Sequence, residues 1–121
     1  MSYKIFVVDD EAEICRILVV FLSKKGFEVL SANSGQEALE ILKKDKSINL
    51  MLLDMRMPGM GGAEVLQEME KAGISVPVIV LTGSLSETSF LKDFSMVRKT
   101  ELKPMDLNKL FEDITGILGS K

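Results

Sequence analysis

The fold of this chain is decided by the stretch Leu50-Met51-Leu52-Leu53-Asp54-Met55-Arg56-Met57-Pro58-Gly59-Met60-Gly61-Gly62, in which an apolar run ends at a carboxylate and turn residues follow. Consecutive large apolar residues bounded by turn signals are typical of a strand buried on both faces, as in a parallel sheet. Pro58 and the glycines stop that strand. We therefore place Asp54 at the carboxyl end of a central strand, where open α/β sheets carry their sites. The alternative is that Asp54 only closes a turn or caps the next helix.

The rest of the chain alternates strand and helix patterns around this stretch. Further strands are predicted at residues 5–8, 27–32, 76–81 and 96–102. Apolar residues at helical spacing predict five helices: one ending at Lys24-Lys25 before Gly26, one from Ser34 to about Lys44, one from Ala63 to near Gly73, a short weak one within 86–100, and one after Asp106. This alternation requires parallel strands joined by right-handed crossovers. We predict an α/β fold, a single doubly wound domain over residues 1–121.

Local signals refine these elements. Asp10 with Glu13, and Ser34 with Glu37, have the spacing of capping boxes, and Asp106 is placed to cap the final helix. Because of the first pattern, one of the two acidic residues after the first strand could be only a helix cap. The charged residues within 96–102 favour an edge position for the fifth strand.

Composition narrows the function classes. The chain has 121 residues, a formal net charge of -3 and a pI near 5.0, which argues against direct binding to nucleic acid. Its N-terminus is too short in apolar residues and too acidic for a signal peptide, and no apolar run reaches membrane-spanning length, so a cytoplasmic protein without membrane contact is expected. Histidine is absent, which removes the usual zinc sites. Cys15 is the only cysteine and is predicted to be a buried small hydrophobe.

Chemically useful side chains follow the predicted strands. The carboxyl ends of parallel strands share one edge of the sheet, so Asp9, Asp10, Asp54, Thr82 and Lys103 are expected to converge there. Two carboxylates about 4 Å apart repel each other by roughly 4 kcal/mol at an effective dielectric near 20. A divalent cation removes this conflict, and an oxygen-only site suits Mg²⁺. With a lysine and a hydroxyl beside it, such a pocket suits phosphoryl transfer, and Asp54 is a candidate nucleophile.

Four segments in this order resemble the receiver domain of the two-component response-regulator family across nearly the whole chain. They are Val7-Val8-Asp9-Asp10-Glu11, the segment from Leu52 to Gly62, Leu81-Thr82-Gly83 and Leu102-Lys103-Pro104. The resemblance implies a flavodoxin-like, five-stranded sheet of order 2-1-3-4-5 with five helices. It also implies a cis peptide before Pro104, as in relatives.

The resemblance further implies what the site residues do. Asp54 would accept a phosphoryl group from a sensor histidine kinase or a phosphotransfer protein, and Thr82 and Lys103 would bind the phosphoryl oxygens. Asp9, Asp10, the Asp54 carboxylate and the Arg56 backbone carbonyl would hold Mg²⁺. Phosphorylation would change the surface formed by the fourth helix, the fifth strand and the fifth helix, a surface through which homodimers could also form.

Some positions depart from the family pattern, and other functions stay open. Relatives often carry an aromatic residue three positions before the lysine, where this chain has Thr100. One alternative is a degenerate receiver that acts as a phosphate-independent interaction module. Another is a metal-dependent phosphohydrolase, but those enzymes usually have an Asp-x-Asp spacing after the first strand, which Asp9-Asp10-Glu11 lacks. We expect a phosphoacceptor rather than a turnover enzyme.

Overall fold

Five parallel strands form one sheet with helices on both of its faces. The structure is a computed structural model that describes residues 2–119, apart from the side chain of Glu87. The strands are β1 Lys4–Val8, β2 Glu28–Ala32, β3 Leu50–Asp54, β4 Val78–Thr82 and β5 Val97–Leu102, and the α-helices are α1 Ala12–Lys24, α2 Gly35–Lys44, α3 Gly62–Lys71 and α4 Leu107–Leu118. The strand order is β2-β1-β3-β4-β5. The predicted fold class and strand order are therefore confirmed.

The continuous apolar runs are explained by two hydrophobic cores, one on each face of the sheet. Alternate strand residues face opposite sides, so a strand covered on both faces needs apolar residues throughout. Leu50 and Leu52 of β3 belong to the core under α1 and α4, whereas Met51 and Leu53 belong to the core under α2 and α3. All residues of β3 and β4 are buried. The last residue of β3 is Asp54, which lies at the carboxyl end of the central strand as predicted.

The helix ends follow the sequence signals at most positions. The Ser34 hydroxyl accepts a hydrogen bond from the Glu37 amide at 3.1 Å, and the Asp106 carboxylate accepts one from the Asn108 amide at 2.9 Å. Gly26 and Gly73, which follow α1 and α3, have φ values of 95° and 72°, the left-handed conformation that glycine adopts readily.

The predicted capping box of Asp10 and Glu13 is wrong. Helix α1 begins one residue later, at Ala12, and within residues 2–119 no side chain caps it. The reason is that Asp9, not Asp10, supplies the acceptor in this loop: its carboxylate accepts the Glu11 amide at 2.9 Å. Asp10 is left exposed at the end of β1.

The predicted fourth helix is also wrong as an α-helix. The segment between β4 and β5 contains two short 3-10 helices, Leu85–Glu87 and Ser89–Asp93, so the described chain has four α-helices instead of five. Hydroxyl side chains compete for the backbone here: the Thr88 hydroxyl donates to the Leu85 carbonyl at 2.7 Å. Leu91 and Phe94 are nevertheless buried in the core under α2 and α3, as their shared face predicted.

The remaining expectations concern β4, β5 and the loop after β5. Strand β4 begins at Val78, two residues later than predicted, because Pro77 has no amide to donate to a strand ladder. Strand β5 pairs with β4 alone and is an edge strand, as its charges indicated. The Lys103–Pro104 peptide is cis, as expected.

No helix in the described part of the chain is both long and apolar enough to cross a membrane.

Candidate functional site

Acidic side chains from the ends of two strands, β1 and β3, meet at the carboxyl edge of the sheet. Asp9 follows β1 and is completely buried, Asp10 beside it is exposed, and Asp54 at the end of β3 is only 4% exposed. One carboxylate oxygen from each of these residues lies within 4.8 Å of the other two. The predicted acidic cluster therefore forms, and each carboxylate is placed there by the parallel arrangement of β1 and β3.

Lys103 joins two of these carboxylates. Its ammonium lies 2.9 Å from Asp9 Oδ2 and 3.2 Å from Asp54 Oδ1, and 3.6 Å from Glu11 Oε1. Burial disfavours the charged ammonium, but the hydrogen bonds and ion pairs with Asp9 and Asp54 outweigh it, so the pKa of Lys103 is raised. Lys103 therefore stays positively charged at the centre of the cluster.

The surroundings of the Asp54 carboxylate raise its pKa. Burial and the neighbouring charge of Asp9 raise the pKa of Asp54 from 3.8 to about 6, even though Lys103 and the Arg56 amide work in the opposite direction. One ammonium thus does not fully compensate two adjacent carboxylates. A further positive charge at this site would stabilise the ionised carboxylates.

Thr82 lies at the end of β4, directly beside Lys103. The Lys103 amide donates to the Thr82 carbonyl at 2.7 Å, which fixes the two residues relative to each other. The Thr82 hydroxyl donates to the Ser84 carbonyl at 3.0 Å and accepts the Ser84 amide at 3.2 Å. Its proton is therefore engaged by its own loop, and Thr82 must release the Ser84 carbonyl before the hydroxyl can donate to a ligand.

Arg56 follows the candidate nucleophile by two residues. Its backbone amide donates to Asp54 Oδ1 at 3.4 Å, and its side chain is exposed. The amide thus helps to orient the carboxylate. The role of the Arg56 carbonyl as a metal ligand stays a prediction.

Sequence reasoning missed two residues that hold the Asp9 backbone in place through hydrogen bonds. The Asn33 side-chain amide donates to the Asp9 carbonyl at 3.0 Å, and the Cys15 thiol donates to the same carbonyl at 3.2 Å. Cys15 is buried, as expected. A signal for Asn33 was present, since it directly follows β2 and the ends of β1 and β2 are neighbours in the sheet. Glu11 was treated as a flanking residue, but it contacts Lys103 as well.

The donor atoms of the cluster fit a hard divalent cation. Carboxylate oxygens from Asp9, Asp10 and Asp54 are close enough to share one ion, and the exposed position of Asp10 leaves the cluster open to solvent. Mg²⁺ prefers oxygen ligands and keeps several waters when it binds proteins. The raised pKa of Asp54 indicates that additional positive charge would relieve the repulsion within the cluster.

Comparison with known proteins assigns the family. Residues 5–115 match the sequence profile of the response regulator receiver domain. The chain belongs to the response regulator receiver family. This family serves two-component signalling, in which phosphorylation switches the receiver domain.

Individual receiver proteins resemble the chain over different lengths. Sporulation initiation phosphotransferase F of Bacillus subtilis is 32% identical over 123 residues, covering 100% of this chain and 98% of that protein. A probable transcriptional regulator, ycf27 of Porphyridium aerugineum, is 49% identical over 86 residues, covering 71% of this chain but 35% of that protein. The match therefore spans between about a third and a half of the length of the transcriptional regulators that resemble this chain.

One solved receiver structure has the same fold and contains Mg²⁺. The response regulator TrrA of Thermotoga maritima, solved in complex with Mg²⁺ and a beryllium fluoride, superposes with a TM-score of 0.84 at 30% identity, covering 95% of this chain and 98% of that one. The acidic cluster of this chain is thus a fitting place for Mg²⁺ in a fold whose relative binds it.

Proposed function

We propose that Asp54 is the phosphoacceptor of this receiver domain and that its donor is a phosphohistidine on a sensor histidine kinase or a phosphotransfer protein. The observation that supports this most strongly is the assembly of three carboxylates and one ammonium around Asp54 at the carboxyl edge of the sheet. Asp54 is the buried carboxylate nearest to Lys103 after Asp9, and it alone ends the central strand.

The chemistry balances with the side chains present. A carboxylate oxygen of Asp54 attacks phosphorus, and the phosphorus–nitrogen bond of the phosphohistidine breaks with its electron pair staying on nitrogen. The imidazole leaves as a neutral group because its other ring nitrogen carries a proton. Lys103 offsets the charge of the phosphoryl oxygens as they approach Asp54. The Thr82 hydroxyl exchanges the Ser84 carbonyl for a phosphoryl oxygen, a change that alters the loop after β4.

The metal site is part of the proposal. Asp9, Asp10, the Asp54 carboxylate and the Arg56 backbone carbonyl would hold Mg²⁺. The bound ion would supply positive charge that neutralises the phosphoryl group and lowers the repulsion among the three carboxylates. Asp9 contributes a fixed oxygen, because the Glu11 amide and Lys103 already hold its carboxylate in place.

The rest of the proposal concerns where the domain acts, how far it extends and which surface passes on the signal. We infer a cytoplasmic receiver domain extending over residues 1–121, whose first residue and last two residues lie outside the described part. It acts as a phosphoacceptor that is switched, not as an enzyme that turns over an external substrate. Its output surface, and the surface for a possible homodimer, is the face formed by the segment 85–93, β5 and α4. No direct contact with nucleic acid or membrane is proposed.

The proposal is tested by phosphorylation with a small donor. Wild-type protein and the Asp54→Asn variant are incubated with acetyl phosphate and Mg²⁺, and intact mass is recorded over time. The wild type is expected to gain one phosphoryl group, and the variant none. A wild type that gains no mass would favour the phosphate-independent interaction module. Continued release of inorganic phosphate from simple phosphomonoesters, well beyond one equivalent, would favour the phosphohydrolase.

A further inference from the structure

The first residue of α3 lies unusually close to the backbone of the candidate nucleophile. A Cβ atom built at Gly62 would lie 2.8 Å from the Asp54 carbonyl oxygen, 3.0 Å from Met55 Cα and 3.2 Å from Met55 Sδ. The first two are backbone atoms, which cannot move aside as the end of a flexible side chain can. The Gly62 amide also donates to the Met55 carbonyl at 3.0 Å. The start of helix α3 therefore packs directly against the backbone of Asp54 and Met55.

Glycine is needed at position 62 for space and not for conformation. The φ angle of Gly62 is not in the left-handed region, so other residues could adopt this backbone. Gly62 is the first residue of α3, and its backbone angles do not require glycine. The close contact, which only a residue without a side chain permits, therefore explains the glycine.

A second close contact prevents α3 and its preceding loop from moving away. A Cβ at Gly35, the first residue of α2, would lie 2.7 Å from the Met60 carbonyl oxygen and 2.9 Å from Val65 Cγ2. Val65 is completely buried in α3. The loop before α3 is thus held between α2 and β3, and an added methyl group at Gly62 would push on Asp54 and Met55 instead of displacing the helix.

Asp54 is also fixed from the other side. The Met55 amide donates to the Leu81 carbonyl of β4 at 3.0 Å, so the peptide after Asp54 lies between β4 and the start of α3. The carboxylate of Asp54 has contacts of 3.2 Å to Lys103 and 3.4 Å to the Arg56 amide, and both depend on where this backbone lies. Reactions between oriented groups are sensitive to such shifts: a misplacement of about 1 Å can cost roughly a hundredfold in rate.

We propose that Gly62 is a positioning residue for the Asp54 carboxylate: the missing side chain lets α3 press against the Asp54 peptide and fix the direction from which Asp54 meets phosphorus. This inference rests on the proposed role of Asp54 as phosphoacceptor. Gly62 itself touches no reacting atom. Its contribution passes through the backbone of Asp54 and Met55.

A graded set of alanine variants tests the proposal. Gly62→Ala is compared with Gly61→Ala, whose Cβ would lie 3.3 Å from the Met55 carbonyl, and with Gly116→Ala, whose Cβ would meet nothing within 4 Å in α4. Ile114→Val removes one methyl group from the core under α1 and α4, on the opposite face of the sheet from α3, and controls for lost stability. Each variant is checked for a native circular dichroism spectrum, and its maximal phosphorylation rate is measured at saturating Mg²⁺ and acetyl phosphate.

The expected order is a loss of about tenfold or more for Gly62→Ala, a smaller loss for Gly61→Ala, and wild-type rates for Gly116→Ala and Ile114→Val. A folded Gly62→Ala variant with the wild-type maximal rate would overturn the proposal, and so would an equal loss in Ile114→Val. If Gly62→Ala does not fold, Gly61→Ala decides: a native fold with a wild-type rate contradicts the positioning role.

A second measurement needs neither metal nor phosphorylation. The Arg56 amide donates to Asp54 Oδ1, so its NMR chemical shift reports on the carboxylate in the metal-free protein. The Arg56 signal should move in Gly62→Ala and stay in place in Gly116→Ala; an unmoved signal contradicts the proposal. A wild type that is never phosphorylated would refute the proposed function alone, because the Arg56 signal would still show whether Gly62 positions Asp54.

Discussion

At the scale of single residues, the central fact is the unbalanced charge on Asp54. Its carboxylate is buried and shares Lys103 with the equally buried Asp9, and burial with the charge of Asp9 raises its pKa to about 6. Near neutral pH, above this pKa, Asp54 is ionised in the metal-free protein, and its charge lowers the stability of the folded state relative to the unfolded chain. In the proposed function, this charge attracts a cation and a phosphoryl group, which accounts for a site kept at some cost in stability.

The pH dependence of stability follows from this shift. Between about pH 4 and 6 the folded state binds more protons at Asp54 than the unfolded state, so the stability that Asp54 contributes falls as the pH rises through this window. Replacing Asp54 by Asn should therefore stabilise the metal-free protein at pH 7.5, by roughly 1–3 kcal/mol. Urea unfolding of both proteins at pH 7.5 and near pH 4 measures the difference. The gain should shrink at acid pH; a variant less stable than the wild type at pH 7.5 would contradict the raised pKa.

At the scale of elements, the segment between β4 and β5 differs from the other connections between the described strands, because it contains no α-helix. It contains only the short 3-10 helices Leu85–Glu87 and Ser89–Asp93, and its first residues are tied to the Thr82 hydroxyl through Ser84. Phe90 and Phe94 form an edge-to-face pair that anchors its second half to the core. In the proposed function, Thr82 releases the Ser84 carbonyl to bind a phosphoryl oxygen, so a change at the site would begin in this segment.

We therefore expect phosphorylation to act first on residues 84–103. Amide hydrogen exchange is measured with Mg²⁺ alone and with Mg²⁺ plus beryllofluoride, a stable mimic of the phosphoryl group. Exchange should change more in residues 84–103 than in α2, which serves as the internal control on the opposite part of the same core. Equal changes in both regions, or none in residues 84–103, would count against this route of switching.

The elements also show what the sequence could and could not predict. Strands β1, β3 and β4 were predictable because each is an apolar run that ends at or just before a polar residue. The Asp106 and Ser34 caps were predictable because a side-chain oxygen satisfies an otherwise unpaired helix amide. The absence of an α-helix after β4 was not predictable, because the apolar residues there have helical spacing while the Thr88 hydroxyl bonds the backbone locally. Gly62 was read as a turn residue, since the contact that requires it involves Asp54 and Met55 in three dimensions.

At the scale of the whole molecule, the sheet converts distant sequence positions into one site. Lys103 and Asp9 are 94 residues apart in the chain, yet their side chains lie 2.9 Å from each other. The convergence of Asp9, Asp54, Thr82 and Lys103 was predictable, because parallel strands align their carboxyl ends. The orientation of the Thr82 hydroxyl towards Ser84 was not, because a hydroxyl can rotate between partners that sequence does not reveal.

Binding of Mg²⁺ should be coupled to unfolding of the whole domain, because the cluster forms only when β1 and β3 are paired. A ligand present at about a hundred times its dissociation constant stabilises a folded protein by roughly 2.7 kcal/mol. Thermal unfolding with and without Mg²⁺ should show a rise in Tm for the wild type and for Glu13→Gln, an exposed carboxylate on α1. The rise should be reduced in Asp10→Asn, and an unchanged rise in that variant would exclude Asp10 as a ligand.

The most direct test of the account is the position of the phosphoryl group. After reaction with acetyl phosphate and Mg²⁺, borohydride reduces an aspartyl phosphate to homoserine, which tandem mass spectrometry of the peptides locates in the sequence. We expect homoserine at position 54 and unmodified aspartate at positions 9 and 10. Homoserine at position 9 or 10, or a phosphoryl group that resists borohydride and remains on a hydroxyl side chain, would contradict the assignment of Asp54 as the phosphoacceptor.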